Sequence, residues 1–202
     1  MSDSQDKRLA QADDLFRTAI SDLMATLTKL DASHLAAVTD LATDIEKGWG
    51  NGGKFMVCGN GGSAADSQHI VAELVGRFLI ERPGYAALAL TTNTSTITAV
   101  GNDYGYDAIF SRQVQALGGS DDVLLVISTS GNSKNCVAAV AAARDRGMKV
   151  HGFLGGTGGA LLPLLDGALV VPSSSTPKIQ EVHITMGHLL CMLLEQWVSE
   201  SS

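Results

Sequence analysis

Two histidines, a glutamate and a run of serines hold the residue types that can do chemistry in this 202-residue chain. His69 and Glu73 stand four residues apart in a helical pattern, so their side chains emerge on one face. Gln180, His183 and His188 share a second helical stretch, which from Val182 to Leu194 holds no formally charged residue apart from a protonated histidine. Such a helix has to be buried, and a buried imidazole or amide needs a partner. A neutral histidine beside a carboxylate can pass protons near neutral pH, and the same nitrogen and oxygen donors can ligate zinc. A satisfied core residue is the plainer explanation for any one histidine, and it is the expectation for His183, His34 and His151. His69, Glu73 and His188 are set apart because three of the five histidines fall on only two elements.

The second chemical signal is the run Val123 to Ser133, VLLVISTSGNS. An apolar strand that ends in Ser128, Thr129, Ser130 and Gly131 offers hydroxyls and free backbone N–H groups at a helix N-terminus, where the dipole favours an anion. Capping alone would need one such residue. Four hydroxyl residues among the six positions Ser128 to Ser133 exceed that need, so the run reads as a phosphate cradle. Lys54 to Cys58 repeats the design, running into Gly59-Asn60-Gly61-Gly62-Ser63 before Ala64, Ala65 and Asp66 open a helix. It is not the dinucleotide fingerprint, which needs G-x-G-x-x-G. Two such turns in one parallel sheet place a ligand beyond the carboxyl ends of its strands.

Those turns need an α/β frame to hold them. Short apolar runs near 54–58, 86–90, 123–127, 149–153 and 168–171 alternate with helical stretches, which implies a five-stranded parallel sheet covered on both faces, in a three-layer flavodoxin-like arrangement. Helices over about 6–30 and from Ser33 to Trp49 precede it. Phe16, Ile20, Leu23, Leu27 and Leu30 make one apolar seam on the first helix, and a seam outside the α/β repeat asks for a partner chain. Pro172 to Pro177 reads as the last loop, a long helix follows from Lys178 to Val198, and Gly155 to Gly159 as a simple turn. The expectation is one domain over residues 1–202, with 1–50 serving oligomerisation and 51–202 forming the core. Hydrophobic residues at 45% and charged residues at 17% are those of a globular chain, and a net charge of −7 argues against a nucleic-acid partner. Cys58, Cys136 and Cys191 have no CxxC spacing, which suggests neither disulfides nor a cysteine zinc site and suits the cytoplasm. No apolar run is long enough to span a membrane.

Taken together, CGNGGSAAD-x-x-H-x-x-x-E, R-P-G at 82–84, GNDYG at 101–105, ISTSGNS at 127–133 and IQE-x-H-x-x-x-x-H from Ile179 to His188 resemble the phosphoheptose isomerases of the SIS-domain superfamily. The resemblance runs from about residue 45 to the C-terminus. It implies interconversion of sedoheptulose 7-phosphate and D-glycero-D-manno-heptose 7-phosphate, the first step of ADP-heptose synthesis for lipopolysaccharide and related glycoconjugates, by a cytoplasmic homotetramer. It also implies a substrate cradle from Asn60, Gly61, Gly62 and Ser63, sugar contacts from Asn102 and Asp103, and phosphate contacts from Ser128, Thr129, Ser130 and Ser133. Glu73 and His188 would carry the proton transfers. His69, Glu73, Gln180 and His188 would hold one zinc ion per subunit, with Glu73 and Gln180 also touching substrate.

Moving a proton between C1 and C2 through an enediol needs a base at carbon, assigned to Glu73, and a group that opens the ring or shuttles the oxygen proton, assigned to His188. The chain departs from the family pattern at Pro177-Lys178, where many relatives have Asp-Arg, and this leaves the role of the Ser173 to Lys178 loop open. The different-class alternative is a non-enzymatic SIS-domain scaffold of the replication-initiator-associating type. Those relatives lack the glutamate and the final histidine that this chain has as Glu73 and His188.

Overall fold

Apolar residues on both faces of five short runs leave a strand no side to show to water, so the runs pair within one sheet covered twice. In the computed structural model, which describes residues 3–200, these are β1 (Phe55–Gly59), β2 (Ala87–Ala89), β3 (Val123–Ser128), β4 (Lys149–Gly155) and β5 (Gly167–Val171). Their order is β2-β1-β3-β4-β5 and every pairing is parallel. Gly59 pairs with Ile127, so the chain leaves β1 and β3 nearly level with each other.

Alternate strand residues divide the core in two. Phe55, Val57, Val123, Leu125 and Ile127 pack with α2 (Ala32–Gly50), α3 (Gly62–Val75) and α7 (Thr176–Glu200). Met56, Cys58, Leu124 and Val126 face the other way, toward α4 (Thr94–Tyr104), α5 (Ser111–Leu117) and α6 (Lys134–Asp145). The sequence expectation of a three-layer parallel fold holds, and each observed strand overlaps its predicted run.

Three local expectations are corrected. The apolar seam of α1 (Asp3–Leu27) is not one stripe: Leu27 and Leu30 pack onto the chain's own core, whereas Phe16 and Ile20 are 65% and 46% exposed, joined by Met24 at 60%. The turn into α2 pins the lower end of the helix and leaves the upper end clear of the sheet. His34 is a capping residue instead of a core residue. Its Nδ1 lies 3.1 Å from the Asp31 N–H and 2.7 Å from Asp31 Oδ1, completing a capping box for α2. Hydrogen bonds from Ser33 and His34 hold the Asp31 carboxyl at about 2. Pro177 belongs to the first turn of α7 and not to a loop, a position where its missing N–H costs nothing.

His151 and His183 are buried core residues as expected. The first bonds Asp44 Oδ2 at 2.8 Å and the second the Leu154 carbonyl at 3.0 Å. Among the described residues no helix is long and apolar enough to cross a membrane.

Candidate active site

Strand order reverses between β1 and β3, and in open parallel sheets a ligand sits in the crevice at that switch point. Both glycine and hydroxyl turns open there. After β1, Gly61 caps α3 and Gly62 begins it. A Cβ on Gly62 would collide with the side-chain amide of Gln180, so α7 lays Gln180 directly on the first turn of α3. Asn60 and Asn135 exchange amide hydrogen bonds at 2.9 and 2.8 Å across the crevice, and the Tyr106 hydroxyl donates to Asn60 Oδ1 at 2.9 Å. Ser63 is buried beneath them.

After β3, the Ser128 and Ser133 hydroxyls meet at 3.1 Å, and the Gly131 N–H donates to Ser128 Oγ at 3.2 Å. Ser133 occupies the N-cap of α6 yet makes no side-chain capping bond, so its hydroxyl serves the loop instead of the helix. Ser130 accepts the Asn132 N–H at 3.2 Å and is exposed. Gly131 has φ +66°, and a Cβ there would run into the Gly158 carbonyl. The Gly155 to Gly159 segment is therefore more than a turn, because it packs backbone to backbone against the hydroxyl loop. Thr129, Ser130, Gly156, Thr157, Ser173 and Thr176 line a cleft of about 340 Å³. The Ser173 to Lys178 segment thus borders the hydroxyl loop, and Lys178 itself pairs with Glu181 at 2.9 Å.

His69, Glu73 and His188 lie further along α3 and α7, which run side by side. His69 Nε2 is 3.2 Å from Glu73 Oε1 and 3.1 Å from His188 Nε2. Ligand atoms of His69, Glu73 and His188 all fall within 4.8 Å of one another. The Gln180 side chain lies against Gly62 at the head of α3, eight residues before His188 on α7. Asn102 and Asp103 are exposed on α4 and bond each other at 2.8 Å.

Three residues around the site carried no role in the sequence reading. The Phe78 ring stacks on His188, with centroids 5.4 Å apart and planes 18° from parallel. Arg82 and Glu195 form a buried ion pair at 3.1 Å. Burial pushes the Glu195 carboxyl up, but the N–H groups of Leu79, Phe78 and Ile80 together with Arg82 outweigh it and hold the group below the ordinary range. One signal was available: Glu195 is an acid on an otherwise apolar helix face, and a buried charge demands partners.

A doubly wound sheet with paired hydroxyl and glycine turns at its switch point is the arrangement of a SIS domain, and the SIS-domain family model matches residues 15–155. The phosphoheptose isomerase of Solidesulfovibrio magneticus is 50% identical over 187 residues, 93% of this chain and 91% of its own length. Among solved structures, the phosphoheptose isomerase of Neisseria gonorrhoeae superposes with a TM-score of 0.86 at 40% identity, over 92% of this chain and 99% of its own. That of Francisella tularensis gives 0.84 at 42% identity, over 94% and 98%. The chain belongs to the phosphoheptose isomerase family of SIS-domain enzymes.

Proposed function

We propose that this isomerase interconverts sedoheptulose 7-phosphate and D-glycero-D-manno-heptose 7-phosphate, with the acid–base work done by Glu73 and His188. The observation that carries this reading is the convergence of His69, Glu73 and His188 within 4.8 Å, two of them on α3, which starts at a switch-point turn, and the third on α7 beside it. The substrate's phosphate binds the hydroxyls of Ser128, Thr129, Ser130 and Ser133 at the head of α6, where helix dipole and N–H groups attract an anion. Asn60, Gly61, Gly62 and Ser63 cradle the sugar, Gln180 closes it from α7, and Asn102 and Asp103 reach it from α4. Glu73 removes the proton between C1 and C2, and His188 moves the oxygen proton.

The donors suit zinc. Two imidazoles and a carboxylate with contacts of 3.1 and 3.2 Å match the ~3.3 Å spacing of ligand atoms around tetrahedral zinc with bonds near 2.05 Å. His69, Glu73 and His188 would hold the ion, one per chain, with Gln180 as fourth ligand. When bound, it supplies Lewis-acid polarisation of the substrate carbonyl.

The chain works as a single domain in a cytoplasmic homotetramer, with residues 1–50 in the assembly, and has no nucleic-acid or membrane partner. A non-enzymatic scaffold is not favoured, since the relatives are isomerases and both Glu73 and His188 are present. Purified protein should convert sedoheptulose 7-phosphate to the aldoheptose phosphate. Absence of turnover at saturating substrate, with zinc supplied, would sink the assignment.

A further inference from the structure

Arg82 and Glu195 are buried charges, with side chains 5% and 3% exposed, and the acid–base reading leaves them without a task. Both grip the segment that leaves α3. Arg82 donates from Nη2 to the Glu73 carbonyl at 2.8 Å, and from Nη1 to the carbonyls of Leu74 at 2.8 Å and Gly76 at 3.0 Å. It therefore satisfies the last carbonyls of the helix that bears Glu73. Glu195 sits on α7 seven residues after His188, so the two share a helix face. Its carboxylate accepts the N–H groups of Phe78 and Leu79, both at 2.9 Å, and of Ile80 at 3.3 Å. Phe78 in turn lies on the His188 imidazole. Phe78 is the apolar anchor of the segment to the core, since Leu79 and Ile80 are 63% and 41% exposed. A buried ion pair is weak evidence of stabilisation, because well-packed apolar replacements often do as well. Here the pair bonds three carbonyls at the C-terminal end of α3 and three N–H groups of the segment that follows, and joins both to α7.

We propose that Arg82 and Glu195 are positioning residues for the isomerisation: their clamp fixes Glu73 against His188, with Phe78 as the pad that sets the imidazole. The inference rests on the acid–base assignment above. Glu195→Gln replaces one accepting oxygen with an N–H₂ group that faces backbone donors, and Arg82→Lys keeps the charge but cannot span the carbonyls and Glu195 together.

Two readouts test it on the full-length protein. Each variant should lower kcat ~10- to 100-fold, as misplacement of reacting groups does, with KM little changed because the hydroxyl loop lies on other elements. The His188 Hε1 resonance, shifted upfield by the stacked Phe78 ring, should move downfield in Glu195→Gln and in Arg82→Lys toward its position in Phe78→Leu. The double variant Phe78→Leu/Glu195→Gln should lose no more kcat than its worse single, since both break one path. Wild-type kcat in folded Glu195→Gln, or an unmoved His188 resonance, would overturn the proposal. Should the charge variants fail to fold, Phe78→Leu leaves the clamp whole, and an unchanged kcat there overturns it equally. Failure of the acid–base reading appears elsewhere, as retained turnover in Glu73→Gln, while the His188 shift still reports on the clamp.

Discussion

Glu73→Gln separates chemistry from stability, because the structure assigns the carboxylate little of the second. Its side chain is 26% exposed and its partner His69 is 45% exposed. A 3.2 Å contact in that setting is solvated and worth at most about 1 kcal/mol. The tie from Arg82 goes to the Glu73 carbonyl and survives the substitution. For a chain of this size such a loss lowers Tm by about 2–4 °C. Removing a positioned base costs ~10²–10⁴ in rate, about 3–5.5 kcal/mol of barrier. Turnover of sedoheptulose 7-phosphate should therefore vanish to that extent in a protein whose circular dichroism and melting are nearly those of the parent. Zinc content by elemental analysis should also fall from about one per chain, since the anionic donor of the set is gone. His188→Gln should behave alike in turnover. Near wild-type turnover from folded Glu73→Gln would refute the assignment of the base.

Ser130→Ala should raise KM for the phosphorylated sugar ~10- to 150-fold, the equivalent of about 1.5–3 kcal/mol for a hydrogen bond to a charged group, and an unchanged KM would place the phosphate elsewhere. Burial pushes the His183 imidazole down to about 4, only partly opposed by its bond to Leu154. The unfolded chain binds that proton from ~6.5 downward. Stability is thus lost as pH falls from ~6.5 to ~4, by about 3 kcal/mol in full, and His183→Gln should flatten this part of the urea-midpoint curve; parallel curves would contradict it. Charged substitutions of the exposed Phe16 and Ile20 should convert a tetramer into smaller species by light scattering, and a tetramer that survives both would put the interface on another face.

The sheet was legible because each strand is a continuous apolar run between turn residues, and the two switch-point turns stood out by composition. His69 and Glu73 were legible as a pair, since helical spacing alone decides that they share a face. What escaped depends on contacts between elements distant in sequence. Nothing near Phe78 announces that it will lie on His188, 110 residues away. The amphipathic spacing of α1 could not say where its seam changes from self-packing at Leu27 to exposure at Phe16, because that depends on where the turn into α2 sets the helix. His34 reads as core from its type alone, whereas its i+3 relation to Asp31 makes it the second half of a capping box. Glu195 lay one residue beyond the charge-free window that marked α7 as buried.

The two halves of the site face different mechanical problems. The hydroxyl loop emerges from β3 level with Gly59 of β1, so the hydrogen bonds of the sheet fix where it starts. Glu73 and His188 stand on helices, and no sheet hydrogen bond sets one helix against another. Close packing does part of this: Gln180 lies on Gly62, and a Cβ on Gly187 would come within 2.7 Å of the Ile70 side chain, so glycine there lets α7 approach α3 without displacing it. Packing of smooth side chains still permits sliding along the axes, whereas directional bonds do not. The buried Arg82 and Glu195, bonded to the backbone where α3 ends and to the segment that follows, supply that directionality beyond Glu73 and His188 as Gln180 does before them. Buried charge is costly, and its placement between α3 and α7, where no sheet hydrogen bond sets one helix against the other, is what the proposed acid–base pair on those two helices requires.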